Sequence, residues 1–179
     1  MSLTTAPSLV TPRLTLGAPA PQDLDESAAM WSDPAVYGLI GGRAFSREEV
    51  WQRLLRYVGH WQIVGYGSWT VRETASGRYV GEVGLMDSRR ATEPLFEGTP
   101  EAGWALAPWA HGHGYAREAV SAMLDWADER GIARTVCIID AVNAASIRLA
   151  ARVGYHFLAT ARYRDAPVDL YARTALGTA

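Results

Sequence analysis

The sequence predicts a mixed α/β (α+β) domain with a largely antiparallel first half and a βαβ arrangement near its end. The chain has 179 residues, of which 49% are apolar and 20% charged, as in an ordinary globular domain with one core. Segments with helical and strand-like spacing follow in the order β-α-α-β-β-β-α-β-α-β-β. A late β-branched strand between two helices is typical of a βαβ unit.

The first half begins with a short strand and two helices. Residues 13–16 are a candidate strand, and residues 22–31 a candidate helix that stops before Pro34. Ser46 and Glu49 form a capping box, in which each side chain satisfies a free backbone donor of the next helix. Apolar residues then recur at helical spacing: Val50, Trp51, Leu54, Leu55, Val58 and Trp61.

Strands dominate the middle of the chain. Residues 68–73 and 78–86 predict a hairpin with an Ala-Ser-Gly turn, and residues 101–106 predict a further strand. Residues 116–130 then form the clearest helix, and Gly131 suits its C-terminal cap. One apolar stripe runs along this helix: Ala116, Ala119, Val120, Met123, Leu124 and Ala127.

The last third completes the predicted βαβ unit. Residues 135–139 are β-branched and apolar, as in a buried strand. Residues 143–153 predict a helix that Asn143 caps at its start. Residues 155–161 and 168–173 predict the two final strands.

Charge and cysteine content exclude several classes of protein. The 17 Lys and Arg residues and 19 Asp and Glu residues give a formal charge of −2, which disfavours bulk-charge binding to nucleic acid or an anionic membrane. Cys137 is the single cysteine, so an internal disulfide is excluded and a cysteine zinc site is disfavoured. No apolar run approaches a membrane span, and no signal peptide begins the sequence. We therefore expect a cytoplasmic protein without nucleic-acid or membrane partners.

The loop before the clearest helix is the most informative segment. Gly112 and Gly114 lie where the first backbone amides of the helix are free, so the turn can cradle phosphate oxygens. The alternative is a glycine-rich turn that only caps the helix. No Lys-Ser/Thr pair follows, which excludes a Walker loop, and the three-glycine dinucleotide pattern is absent. His111 and His113 lack a third nearby ligand, so we expect no metal.

The start of the later helix carries a second group of polar residues. Asn143 suits an N-cap, and Ser146 lies one turn further on the same side. The hydroxyl of Ser146 could equally bond only to the backbone. Arg148 and Arg152 are four residues apart and form either one basic face or a merely solvated one.

Together these two segments resemble the GNAT (Gcn5-related) N-acetyltransferases, with a closer likeness to the RimJ/RimL-like (ribosomal-protein-alanine acetyltransferase) subgroup. The acetyl-CoA loop of that family reads Q/R-x-x-G-x-G/A, and residues 111–116 match all but the first place, where His111 stands. Asn143, Ser146 and the Val-Gly-Tyr at 153–155 are similar to its second cofactor motif. Residues 11–16, 79–85 and 101–106 resemble its strands, so the likeness covers nearly the whole chain.

The resemblance implies one GNAT domain over residues 1–179, with a mostly antiparallel, twisted, seven-stranded sheet and about four helices. It also implies acetyl-CoA as cosubstrate and no metal. Strands four and five part, and the cofactor enters between them. The expected cofactor-binding residues are Trp104, Ala105, Leu106, His111, Gly112, His113, Gly114, Tyr115, Ala116, Arg117, Asn143 and Arg152, with Arg148 as an alternative to Arg152.

The resemblance further implies direct attack of an amine on the thioester. Ser146 matches the position that protonates the leaving sulfur, with Tyr155 or Tyr115 as a substitute. The backbone N–H near Leu106 is the candidate oxyanion donor. Glu101 is the candidate base, either directly or through a water. Glu82 is the rival, although strand alternation places Glu82 toward solvent.

The acceptor is open at this point. The segment 87–100 holds acidic residues that could attract a cationic amine, on a peptide N-terminus or on a small molecule, or could simply be solvated. A non-catalytic acyl-CoA-binding or regulatory module is the alternative to an active enzyme. The resemblance is compatible with a monomer or a homodimer.

Overall fold

A mixed sheet organises the part of the chain that this computed structural model describes, residues 5–163 and 166–175. In those residues the strands are β1 (Leu9–Val10), β2 (Leu14–Gly17), β3 (Ser68–Glu73), β4 (Tyr79–Met86), β5 (Thr92–Glu93), β6 (Glu101–Leu106), β7 (Arg134–Ile139), β8 (His156–Tyr163) and β9 (Ala166–Thr174). They lie in the order β1-β2-β3-β4-β6-β7-β9-β8-β5. Within the described ranges, β6 and β7 are the one pair of neighbouring strands that run parallel.

The helices begin and end at the signals that the sequence carries. In the same residues they are α1 (Leu24–Trp31), α2 (Pro34–Tyr37), α3 (Arg47–Val64), α4 (Tyr115–Glu129) and α5 (Ala144–Arg152). The capping box is confirmed: Glu49 accepts from the backbone N–H of Ser46 at 2.8 Å, and Ser46 Oγ accepts from that of Glu49 at 3.2 Å. Gly65 ends α3 with a left-handed φ of 84°.

Two layers of helices cover the sheet. On one face α4 buries its predicted stripe against β2, β4 and β6, and Trp61, Trp69 and Trp126 pack edge to face there. On the other face α1, α2 and α3 pack over Tyr79 and Ala105. This second layer buries the face of the sheet that the sequence analysis left to solvent.

The sheet divides in its middle. The parallel ladder between β6 and β7 consists of one pair, Glu101 with Val136, beyond which the two strands separate. A strand edge without a partner exposes backbone N–H and C=O groups. The predicted parting of the fourth and fifth strands is therefore present.

The predicted mixed α/β fold is confirmed, with additions. Seven long strands match the prediction, and the described residues add the two-residue strands β1 and β5 and the short helix α2. The first part of the predicted helix at 22–31 is a 3-10 turn over Pro21–Asp23. Strand β9 lies between β7 and β8, so the end of the chain is antiparallel.

Candidate active site

A cleft of about 430 Å³ opens where β6 and β7 part. Its walls are the free edge of β6, the loop before α4, the first two turns of α5 and the segment around α2. The lining residues comprise Ala35, Val36, Leu39, Ile40, Trp104, Ala105, Leu106, Ala110, His111, Gly112, Gly114, Ala116, Arg117, Asn143, Ala145, Ser146, Arg148, Leu149 and Arg152. Most of the residues expected to bind cofactor therefore come together here.

The free edge of β6 offers backbone hydrogen-bonding groups to the cleft. The N–H of Val136 donates to the carbonyl of Pro100 at 3.0 Å, which fixes which β6 residues point toward β7. Backbone groups alternate sides along a strand, so those of Trp104 and Leu106 point into the gap beyond the last pair. An extended amide-containing ligand could pair with this edge as an additional strand would.

The loop at 111–114 is shaped for an anion. Gly112 and Gly114 have left-handed φ values of 78° and 79°, which an L side chain rarely adopts. They turn the chain directly into the N-terminus of α4, where the first amides are free. The positive end of the helix dipole adds to the attraction for a phosphate.

Arg13 holds this loop from outside the cleft. Its Nη1 donates to the carbonyl of His113 at 2.9 Å, and its Nε donates to Glu118 on α4 at 2.7 Å. The guanidinium also lies 4.6 Å from the centroid of the Tyr115 ring. These bonds connect the residue before β2 to the loop and to the first turn of α4.

His111 contributes its side chain as well as its backbone. A carbonyl oxygen can only accept, so Nε2 of His111 donates to the carbonyl of Leu106 at 2.9 Å. The bond joins the end of β6 to the loop. The other histidine, His113, is exposed and does not line the cleft.

Three arginines surround the mouth of the cleft. Arg117, Arg148 and Arg152 are all exposed, and no described carboxylate pairs with any of them. Free guanidinium groups of this kind favour phosphate oxygens. With the glycine loop, they fit the phosphate groups of a coenzyme A molecule.

Asn143 and Ser146 lie together at the start of α5. Oδ1 of Asn143 accepts from the backbone N–H of Ser146 at 3.1 Å, as expected of an N-cap. The Oγ of Ser146 accepts from Nε1 of Trp104 at 3.1 Å. Because an indole N–H can only donate, the proton of the serine hydroxyl is free to point into the cleft.

The structure places Glu101 differently from the expectation for a base. Its side chain is buried, and both oxygens accept from Arg90, at 2.6 and 3.0 Å. Both oxygens are taken up by the bidentate pair with Arg90, and Glu101 does not line the cleft. The geometry therefore speaks against Glu101 as the base.

The expectation that Glu82 faces solvent is wrong. Its side chain is 4% exposed and lies beneath α1 and α3. The carboxylate accepts four hydrogen bonds of 2.5–3.1 Å, from Ser27, Trp31, Tyr57 and Tyr79. Burial, with Glu82 beside it, raises the pKa of both tyrosine hydroxyls, which therefore stay donors. Glu82 is therefore a buried carboxyl group whose two oxygens are already hydrogen-bonded, and it is not placed as a free base.

Neither tyrosine named as a substitute acid reaches the cleft. The hydroxyl of Tyr155 is buried and lies 2.7 Å from Oγ1 of Thr135. The hydroxyl of Tyr115 donates to Glu73 at 2.6 Å, outside the cleft. Ser146 is thus the hydroxyl that the described residues present to the cleft next to the free edge of β6.

The acidic segment between β4 and β6 is neutralised from within. Arg89 binds Asp87 and Glu97, each at 2.8 Å. This pairing offsets part of the attraction for a cationic acceptor that the acidic side chains alone would provide. The described residues contain no group of three or more His, Cys, Asp or Glu placed to hold a metal ion.

Two features of this region were not predicted from the sequence. One is the wall of the cleft around α2, and the other is the partly buried side chain of Arg53 on α3. Of the wall residues, Val36 lies in the short Pro-initiated helix α2, and Leu39 and Ile40 follow it. The four residues of this helix are too few to show a periodicity. Arg53 stands in an amphipathic helix, where an arginine is usually solvated.

None of the helices in the described ranges is long and apolar enough to cross a bilayer.

Comparison with known proteins agrees with this geometry. The family model described as Acetyltransferase (GNAT) domain matches residues 13–156. A structure from Bordetella pertussis, described as a GnaT-family acetyltransferase, is 31% identical, with a TM-score of 0.83 over 94% of this chain and 100% of that one. An acetyltransferase from Agrobacterium tumefaciens str. C58 is 26% identical, with a TM-score of 0.81 over 94% of each chain.

A further relative has a similar sequence identity to this chain. The uncharacterized protein YkkB of Bacillus subtilis (strain 168) is 32% identical over 112 residues. The match covers 61% of this chain and 63% of that protein, so it spans less than two thirds of the curated relative.

Proposed function

The chain belongs to the GNAT acetyltransferase family, and residues 13–156 form an acetyl-CoA-dependent N-acetyltransferase domain. On this basis we propose that the protein transfers an acetyl group to a primary amine by direct attack in a ternary complex. The observation that carries the proposal is the cleft at the parting of β6 and β7, with Ser146 beside the free edge of β6. The acceptor is the amine of a peptide N-terminus or of a small molecule.

The cofactor-binding residues follow from the walls of the cleft. The β6 edge at Trp104, Ala105 and Leu106 receives the pantetheine arm, and Asn143 lies beside it. The amides of residues 111–116 receive the pyrophosphate, and Arg117 is close to them. Arg152, with Arg148, is placed to meet the remaining phosphate.

Acetyl-CoA, when bound, supplies the activated thioester carbonyl. The free N–H of Leu106 stabilises the negative charge that develops on its oxygen. A bond forms between the amine nitrogen and the carbonyl carbon as the carbon–sulfur bond breaks. Ser146 gives its hydroxyl proton to the sulfur. Since Glu101 and Glu82 are engaged, water carries the proton that the amine nitrogen loses back to the Ser146 oxygen, which restores the hydroxyl.

Thiol release from acetyl-CoA tests this proposal against a non-catalytic binding module. We expect turnover with one class of a panel of N-terminal peptides, polyamines, aminoglycosides and amino acids, together with acetyl-CoA binding in calorimetry. Binding of acetyl-CoA without thiol release on any amine would favour the binding module. Absence of binding would remove the assignment of the cleft itself.

Four further assignments belong to the same proposal. The sequence motifs support a RimJ/RimL-like subgroup, and the extent of the fold supports one domain over residues 1–179. The single cysteine, Cys137, is a free thiol, which is compatible with the reducing cytoplasm. Size-exclusion chromatography with light scattering distinguishes a monomer from a homodimer.

A further inference from the structure

Arg53, in helix α3, differs from the other buried or half-buried arginines in its charge partners. Four described arginines are not exposed: Arg53, Arg72, Arg90 and Arg173. Arg72 binds Asp23 and Glu26, Arg90 binds Glu101, and Arg173 binds Asp128. Arg53 has no carboxylate partner among the residues that the structure describes. An arginine partly removed from water usually has one, because its charge is costly without compensation.

The environment of Arg53 fixes its position and leaves its donors free. Nη1 donates to the hydroxyl of Tyr57 at 3.0 Å, and that hydroxyl in turn donates to Glu82. The guanidinium lies 4.1 Å from the ring centroid of Trp31 and 4.9 Å from that of Phe45. Of the five N–H groups of a guanidinium, one has a described partner.

Glu82 does not replace the missing partner. Its two oxygens accept from four other donors, and its effect reaches Arg53 only through Tyr57 and through space. Arg90 lies near enough to oppose the charge of Arg53, and its own charge is paired with Glu101. The free N–H groups of Arg53 therefore offer a directed site for an anionic group.

This site adjoins the reacting end of the cleft. Glu82 pairs in register with Ala105, which lines the cleft and packs in the same cluster as Trp31 and Tyr57. Ile40, another lining residue, and Phe45 pack against that cluster and are only half-buried. Arg53 is thus connected to a lining residue of the cleft through Tyr57, Glu82 and the Glu82–Ala105 pair.

We infer that the acceptor is a small amine that also carries a carboxylate, of the amino acid class, and that Arg53 binds this carboxylate with its free N–H groups. The planar fork of a guanidinium matches the two oxygens of a carboxylate. Trp31 and Phe45 hold the fork in place, so little conformational entropy is lost on binding. The inference rests on the proposed acetyl transfer, whose acceptor it specifies.

Thiol release with matched acceptors tests it. The panel consists of L-amino acids, the corresponding amino acid amides, aminophosphonates and N-terminal peptides, each with acetyl-CoA. We expect kcat/KM at least about tenfold higher for the best amino acid than for its amide, as the loss of a charge-assisted pair implies. Faster turnover of an aminophosphonate than of the matching amino acid would overturn the carboxylate as the recognised anion.

Two variants of α3 locate the effect. Arg53→Gln should remove the preference for the acid over its amide, by raising KM for the amino acid while the amide rate changes little. The control is Arg47→Gln, which removes another arginine of α3, one that is exposed and paired with Asp25 of α1. This variant should keep the preference for the acid. An equal loss for acid and amide in Arg53→Gln would overturn the carboxylate site.

The remaining outcomes separate this inference from the proposed function. Turnover of peptides or amides with no preference for a carboxylate would overturn the inference and leave acetyl transfer standing. Thiol release on no amine at all, by protein that binds acetyl-CoA, would overturn both.

Discussion

At the scale of single residues, the hydroxyl of Ser146 is oriented before any ligand arrives. Trp104 donates to its oxygen from the β6 side, and Asn143 accepts from its backbone N–H. These two bonds hold Ser146 at the free edge of β6 with its proton available. Orientation of this kind is what a general acid requires, because proton transfer depends on distance and angle.

We expect Ser146→Ala to lower kcat on the order of 100-fold, because the leaving sulfur loses its proton donor. The dissociation constant for acetyl-CoA should change by less than about threefold, since the phosphate and pantetheine contacts remain. Steady-state kinetics and calorimetry measure the two quantities. Ser32→Ala, at the exposed end of α1, is the matched control. Equal losses in turnover and affinity would refute the acid role.

Sequence reasoning at this scale succeeded where a residue acts through local geometry and failed where tertiary packing decides. Asn143 and the glycines of the loop were predictable because caps and left-handed turns depend on neighbours in the chain. Glu82 was assigned to solvent because alternation assumes one wet face, and α1 and α3 cover that face. The pairing of Glu101 with Arg90 joins residues on either side of an irregular loop, which no local pattern encodes.

At the scale of elements, the loop at 111–114 and helix α4 act as one unit. Arg13 ties them to β2, and His111 ties them to the end of β6. The predictable elements were those with strong local signals, such as β6, α3 and α4. Strands β1 and β5 have two residues each, too few for a pattern. β1 pairs with the neighbouring β2, Leu9 opposite Leu16, and β5 pairs with the distant β8, Thr92 opposite Tyr163.

Gly114→Val should raise the dissociation constant for acetyl-CoA by about tenfold or more, because the new side chain disfavours the left-handed turn that aims the amides. Its added Cβ would also lie 3.5 Å from Nη2 of Arg13. Gly131→Val places the same strain, at a φ of 74°, just past the other end of α4. Calorimetry on both variants separates cofactor binding from general strain, and an equal affinity loss in both would contradict the loop assignment.

At the scale of the whole molecule, three acidic side chains make stability dependent on acid. The bonds from Arg43 and Ser46 lower the pKa of Glu49 to about 2. Ser76 and Tyr115 lower the pKa of Glu73. Burial opposes the charge of Glu118, but bonds from Thr11 and Arg13 outweigh it and its pKa is lowered. Each contribution is complete above the ordinary value of 4.5 and is lost as pH falls through the folded value.

We therefore expect the melting temperature to fall steadily below about pH 4.5, with the contribution of Glu49 disappearing toward about pH 2. Glu49→Gln should melt lower than the wild type near neutral pH and show a flatter acid dependence. Circular dichroism at several pH values measures the melting temperature of each variant. Glu48→Gln, which changes the exposed neighbour of Glu49, is the control. The same acid slope in wild type and Glu49→Gln would contradict the assignment.

The single pair between β6 and β7 has a thermodynamic consequence for the whole domain. Strands β1 to β4 and β6 form one block and strands β7, β9, β8 and β5 another, with Glu101 and Val136 the one ladder pair between them. A ligand whose amides fill the gap would supply part of the missing ladder, so that cofactor affinity and resistance to unfolding rise together. Because one ladder pair joins the two blocks, we expect the free protein to open more readily at this seam than within either block, and a ligand in the cleft to restrain that opening.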